Sequence, residues 1–404
     1  MLQKNKNAVR VFKNIAKHIV FSSFLCLLFD FSAMAKTQVS WGGVSIDENS
    51  ISNAPVAASL LSDGSGEIDI QARKRIKERP FTNVEFLGGR DDNTEGVILT
   101  ATVLRESLQI FQDQNRSDVV YNHTYRIFIN LMAFDWDVDG EMGRYIGSVP
   151  LVIDYKDAAS APHSTAQQQR IFQNMYLENS LGGKLNVFDE LYNFANAMNV
   201  EGYLEKYPQI TSLQFKPEAA QIFNIGADNL GDWSYMAKQF FEAQLVKSSG
   251  SVLVPSMSEE RANLEFTFLF ADKSQRIVLP DPYGEISVLV EQLIPVEELD
   301  GVQKSLCHMA VIRVIVTDEL DDELMSLNFG RMKKSCFVTH KDNRIDHKQK
   351  YHETMLILLK DIAKQFGNSV DKSWLAGFGV PSNVIPKYVD GVSKVKTELL
   401  QSYR

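Results

Sequence analysis

The feature that most restricts the fold is a succession of strand and helix signals that occurs twice. From Phe81, the residues Val84, Phe86 and Leu87 spell a short strand closed by Gly88 and Gly89. Apolar residues between Val97 and Phe111 then recur at helical spacing behind the acidic lead of residues 91–95, which predicts a helix. Residues 119–121 read as a strand, and two β-rich runs, 125–134 and 145–155, flank an Asp139-Gly140 turn. Ser164 and Thr165 then cap a polar helix to about Leu177.

After Pro208 a similar order returns. Residues 213–215 predict a strand, 233–246 a helix, and 252–255 and 264–270 two further strands. A hairpin joins 309–317 to 327–339, and residues 351–366 form an amphipathic closing helix. The expected fold class is therefore α+β, with two similar β-α-β-β-β-α modules, each a mostly antiparallel sheet with helices on one face. They span 81–183 and 208–370, the second with an insertion near 272–306. A helical connector covers 184–207, an extended arm 36–80, and a carboxy-terminal loop and helix 371–404. Chance likeness of two α+β halves is the alternative to duplication.

In topology, these modules resemble the small α/β modules of periplasmic envelope proteins, such as the amino-terminal domain of the TolB type and the curli-secretion lipoprotein. The resemblance covers both repeats through element order, with no diagnostic motif. It implies a non-catalytic role in an envelope assembly and assigns no residues.

The first 35 residues carry a different message. Lys4, Lys6, Arg10, Lys13 and Lys17 precede an apolar run over 19–29, and Ala33-Met34-Ala35 supplies the small residues that a signal peptidase reads. This predicts a cleavable signal peptide over 1–35 and a mature start at Lys36. The run of about 11 apolar residues falls short of the ~20 that span a bilayer. Cys26 lies inside that run, between Leu25 and Leu27, where it does not mark a lipoprotein. The expected location is the periplasm or the medium.

Cleavage leaves 37 basic against 50 acidic residues, a net charge of −13. Such acidity argues against nucleic acid as a partner, and no later stretch is long and apolar enough to span a membrane. The expected partners are envelope or secreted proteins.

Catalytic signatures are sparse. The chain has no G-x-S-x-G, H-E-x-x-H, P-loop or G-x-G-x-x-G pattern. Ser369 and Lys372 fit S-x-x-K, without the S-D-N and K-T-G partners that give that spacing its chemistry. His340, His347 and His352 are spaced by seven and five among Lys341, Arg344, Lys348 and Lys350, whose charges would repel a cation, and they read as a solvated helix start. A mixed metal site from Cys307, His308, Cys336 and His340 is a further reading that oxidation of the cysteines would abolish.

Asp135, Asp137, Asp139 and Gly140, followed by Glu141, have the D-x-D-x-D-G form of a calcium loop, in which alternate carboxylates converge on a hard cation. Ile146 stands where an EF-hand needs its bidentate glutamate, and strands rather than helices flank the loop. Calcium at Asp135, Asp137, Asp139 and Glu141 and a plain acidic hairpin tip both fit. No other cofactor is expected.

Loss of Cys26 with the signal leaves Cys307 and Cys336, an even pair in an oxidising compartment. Both lie on predicted strands of one hairpin. A turn centred between Asp321 and Asp322 makes them cross-strand partners, so a disulfide is expected. Free buried cysteines follow if the register slips by one. Three functions stand at this point: a non-catalytic envelope interaction or assembly factor, a calcium-dependent binding or adhesion module, and a hydrolase whose site is assembled from distant residues.

Overall fold

A computed structural model describes residues 37–404 except 63–65, 79–83, 90–95, 114–118, 137–143, 178–206, 223–226, 257–264, 271–273, 301–302, 333–336, 339–346, 368 and 401–404. The strands are β1 (Thr37–Asp47), β2 (Val84–Gly89), β3 (Gly96–Asp113), β4 (Val120–Trp136), β5 (Arg144–Ala159), β6 (Pro208–Phe215), β7 (Glu265–Leu269), β8 (Ser274–Val278), β9 (Gly284–Asp300), β10 (Gln303–Asp318), β11 (Glu323–Met332) and β12 (Phe337–Val338). The helices are α1 (Pro55–Ser62), α2 (Glu67–Glu78), α3 (Thr165–Leu177), α4 (Pro217–Ile222), α5 (Ala227–Ser249), α6 (His347–Gln365), α7 (Lys372–Gly377) and α8 (Ile385–Glu398).

The chain has an α+β fold built on two mixed sheets. The first runs β5-β4-β3-β1-β7-β8, with β2 also on β1; the second runs β11-β10-β9-β6, with β12 beside β10. The two sheets share one connectivity. β1 lies parallel to β3 and β6 parallel to β9, and each pair continues into an antiparallel meander, β3-β4-β5 and β9-β10-β11. The chain halves nevertheless interlock, because the β7–β8 hairpin joins the first sheet through β1.

Four expectations are corrected. Residues 36–80 are no extended arm: β1 buries Val39, Trp41, Val44 and Ile46 in the middle of the first sheet, and α1 and α2 pack Val56, Leu60, Leu61 and Ile68 against it. Gly42 makes the strand look like a turn. It is the extra residue of a bulge between Trp41 and Gly43, where a Cβ would meet Ile98 Cγ2 at 2.6 Å. Asp69 of α2 accepts a hydrogen bond from the Val44 amide beside that bulge.

Residues 97–111 form strand β3, not a helix. Val97, Leu99, Ala101 and Val103 face the core shared with α1, α2 and α3, while Leu104, a bulge residue, belongs to the core on the other face. Both faces are covered, so the apolar run is continuous and its period is hidden. Nor is 272–306 an insertion: β9 within it is an inner strand of the second sheet. The expected strand at 264–270 is β7, on the first sheet rather than the second. The 184–207 connector lies outside the described residues apart from Tyr207.

Helix α5 lies between the two sheets, touching β5 and β6. Ala237, Phe241 and Leu245, four residues apart, join the second-sheet core, while Met236 joins the first-sheet core formed by Leu104, Phe128, Met132 and Phe134. Each such fully buried apolar side chain contributes about 1.5–3 kcal/mol. Helices α6 and α8 complete the second core with Met355, Leu358, Ile362, Val392 and Val395. Among the described residues, no helix is long and apolar enough to cross a membrane.

Candidate functional site

The second sheet is two-sided. Alternate residues Ile286, Val288 and Val290 of β9, Ile312, Val314 and Val316 of β10, and Leu327 and Phe329 of β11 face the helices. The intervening residues make an outer face: Ser287 and Leu289, then Val311, Arg313 and Ile315, are half-buried, and Gln214 and Asn328 are exposed. Register places them together, since Arg313 stands opposite both Leu289 and Asn328, and Ile315 opposite Ser287 and Ser326.

A row of polar side chains crosses this face. Arg313 Nε donates to Asn328 Oδ1 at 2.9 Å, and its Nη2 reaches Glu291 Oε1 at 2.7 Å. Lys216, just beyond β6, approaches the same Glu291 oxygen at 3.3 Å. Thr211 and Ser212 of β6 both hydrogen-bond Ser287 Oγ, at 3.3 and 3.2 Å. Both ion pairs converge on a carboxylate that is itself buried, Glu291, while the two cations are part-exposed. Their effect is to hold long side chains in fixed positions between the half-buried Leu289, Val311 and Ile315, which lowers the ordering cost of docking.

Other titratable groups lie, by contrast, inside the fold. Glu242 of α5 is fully buried, and burial pushes its carboxyl up to about 7, against the opposing pull of Lys238 and Ser256. Arg126, also buried, donates to Asp154 Oδ1 at 2.8 Å and to Gln109 Oε1 at 2.7 Å. His123 and His163 stack with ring centroids 3.9 Å apart, and Tyr125 Oη lies 2.8 Å from His163 Nδ1. Asp157 Oδ2 lies 3.5 Å from His163 Nε2, which completes a carboxylate–imidazole–hydroxyl chain. That chain is no activated nucleophile. Tyr125 is fully buried, and burial, with Asp157 and Tyr155, pushes its hydroxyl up to about 12.

Of the calcium residues, Asp135 ends β4 opposite Arg144, while Asp137, Asp139 and Glu141 lie outside the described residues. The flanks are strands, as expected for a hairpin. His352 corrects the solvated-helix reading: it is buried edge-on against Trp233, and burial, then the charges of Arg126 and Lys156, hold its pKa well below the ordinary value. His347 opens α6, and His340 lies outside the described residues.

Cys307 and His308 are both fully buried, but adjacent strand residues point to opposite faces. His308 packs edge-on against Tyr351 of α6, so the mixed site with Cys336 and His340 does not assemble around this pair. Cys336, like His340, lies outside the described residues. Ser369 is exposed ahead of α7, whose N-cap Asp371 accepts from the Ser373 and Trp374 amides. Ser369 and Lys372 therefore do not share a helical turn. Among the described residues, no group of three or more His, Cys, Asp or Glu is placed to hold a metal ion.

The polar row was missed because it depends on cross-strand register. Its sequence signal is Arg313 alone among the apolar residues 310–316. No protein-family model matches the chain, and no curated protein matches it.

Proposed function

We propose that the protein is an exported, non-catalytic interaction or assembly factor that binds an envelope or secreted protein through the outer face of its second sheet. The observation that carries this reading is the Asn328–Arg313–Glu291–Lys216 row, fixed between half-buried apolar neighbours on the sheet face opposite the one that packs on the described helices. Burial of the Glu242 carboxyl and the Tyr125–His163 chain supports a structural rather than a chemical role for those groups. The basic and apolar opening of the chain, with Ala33 and Ala35, supports export, and amino-terminal sequencing of exported material should start at or near Lys36.

The test is photo-crosslinking in intact cells from probes at Val311, Ile315 and Asn328, with exposed Ser59 and Ser393 as controls. A common adduct from the three face positions, absent from the controls, is expected. Equal labelling at controls and face overturns the reading. Arg313→Ala is expected to weaken partner binding tenfold or more and to cost about 1–3 kcal/mol of stability, since it removes one of the two cations beside the buried Glu291 carboxylate, so binding is compared where thermal unfolding shows the variant folded.

A further inference from the structure

Helix α3 is held to the first sheet by an unusual junction. Its first turn is capped by Ser164 and Gln167, which exchange hydrogen bonds, and Phe172 and Tyr176 sink into the core below. Immediately before the cap stands His163. Its backbone N–H donates to Nε2 of His123 on β4 at 3.1 Å, and its carbonyl accepts from Gln168 Nε2 at 2.8 Å. Because an amide can only donate, Nε2 of His123 must carry the lone pair and Nδ1 the proton. The imidazoles lie face to face, 3.9 Å apart and tilted by only 5°.

We propose that the stacked His123–His163 pair is an acid-sensitive clasp that holds α3 on the first sheet when neutral and releases it when His123 gains a proton. Protonation at Nε2 turns the acceptor into a donor aimed at the His163 amide, and it sets a cation against the neighbouring imidazole. The groups facing His123 come from each packed element. β5 supplies Asp157, its cross-strand partner, and Tyr155; β4 itself supplies Tyr125; the segment before α3 supplies His163; and β3 presents apolar Ile110. Asp157 lies 3.5 Å from His163 Nε2, a different atom of His163 from the amide whose hydrogen bond His123 accepts.

Burial, and then His163, depress the pKa of His123, and Asp157 opposes them. A depressed histidine leaves the folded state with fewer protons than the unfolded one. Clasp stability is therefore complete above the unfolded value near 6.5 and is lost as pH falls below it. Released, α3 uncovers Phe172 and Tyr176.

The experiment is hydrogen–deuterium exchange of the full exported chain at pH 7.5 and 5.0, with rates corrected for intrinsic pH dependence. Residues 165–177 are expected to lose protection tenfold or more at pH 5.0 while β9 and β10 keep theirs. In His123→Gln, whose Oε1 accepts from the same amide without titrating, protection of α3 should be independent of pH. Unchanged α3 protection in the native chain, equal acid loss in His123→Gln, or loss spread over the whole protein overturns the clasp. If His123→Gln does not fold, nitrogen NMR of the native chain decides: Nδ1–H on His123 at neutral pH supports the clasp, and Nε2–H refutes it.

Discussion

Cleaving the disulfide that we propose between Cys307 and Cys336 is expected to lower the stability of the mature chain by roughly 3.5 kcal/mol, the chain-entropy value for a closed loop of about 30 residues. The support is a register. β12 pairs with β10 through Leu306↔Phe337 and Ser305↔Val338, and a ladder of that register, if continued by one step, would set 307 against 336. The β10–β11 ladder alone does not predict this. It pairs Met309 with Met332, and extended unchanged it would set Cys307 against Lys334. The turn is also displaced from the expected centre between Asp321 and Asp322, since Asp318 N donates to Asp322 O and Thr317 faces Glu323. The pairing therefore rests on the two-residue offset between β11 and β12, not on a symmetric hairpin. Non-reducing peptide mapping should recover a 307–336 linked peptide, and reductant should lower the unfolding free energy read from denaturant titration by that amount. Two freely alkylated thiols in native exported protein would end the idea.

The same stretch marks the boundary of what the sequence discloses. The β10–β11 hairpin and helices α6 and α8 were legible because each has one buried face, which imposes a clean period of two or near four on the apolar residues. β3 was not, because covered faces erase the alternation; its β-branched content, Val97, Ile98, Thr100, Thr102 and Val103, was the better guide. β9 was hidden by Pro295 and its many glutamates. Its partner β6 ends its pairing at Val290, so Pro295 lies where β9 has a neighbour on one side only and a missing amide costs little. The outer-face row needed two registers at once, which no local pattern carries. The buried groups were invisible for another reason: a histidine such as His352 in a polar run reads as solvated until the opposing sheet is placed over it.

Glu242 carries the second large expected effect, a stability that falls as pH rises from about 4.5 to 7. Its carboxyl, sealed under α5, is pushed up to about 7 because burial penalises the anion more than Lys238 and Ser256 relieve it, whereas the ordinary value is 4.5. Between those values the folded chain holds a proton that the unfolded chain has released. Each unit of rising pH in that window removes up to ~1.4 kcal/mol, so the accumulated loss is on the order of 3 kcal/mol, with no further change from this group above 7 or below 4.5. Glu242→Gln keeps the shape and removes the charge. The variant should match the native chain near pH 4.5 and exceed it increasingly up to pH 7.5. Urea unfolding of both proteins at each pH reads this as a difference, in which His123 and every other distant titrating group cancels. Parallel stability curves, or a variant that loses stability at pH 7.5, would show that Glu242 is ionised and satisfied inside the fold.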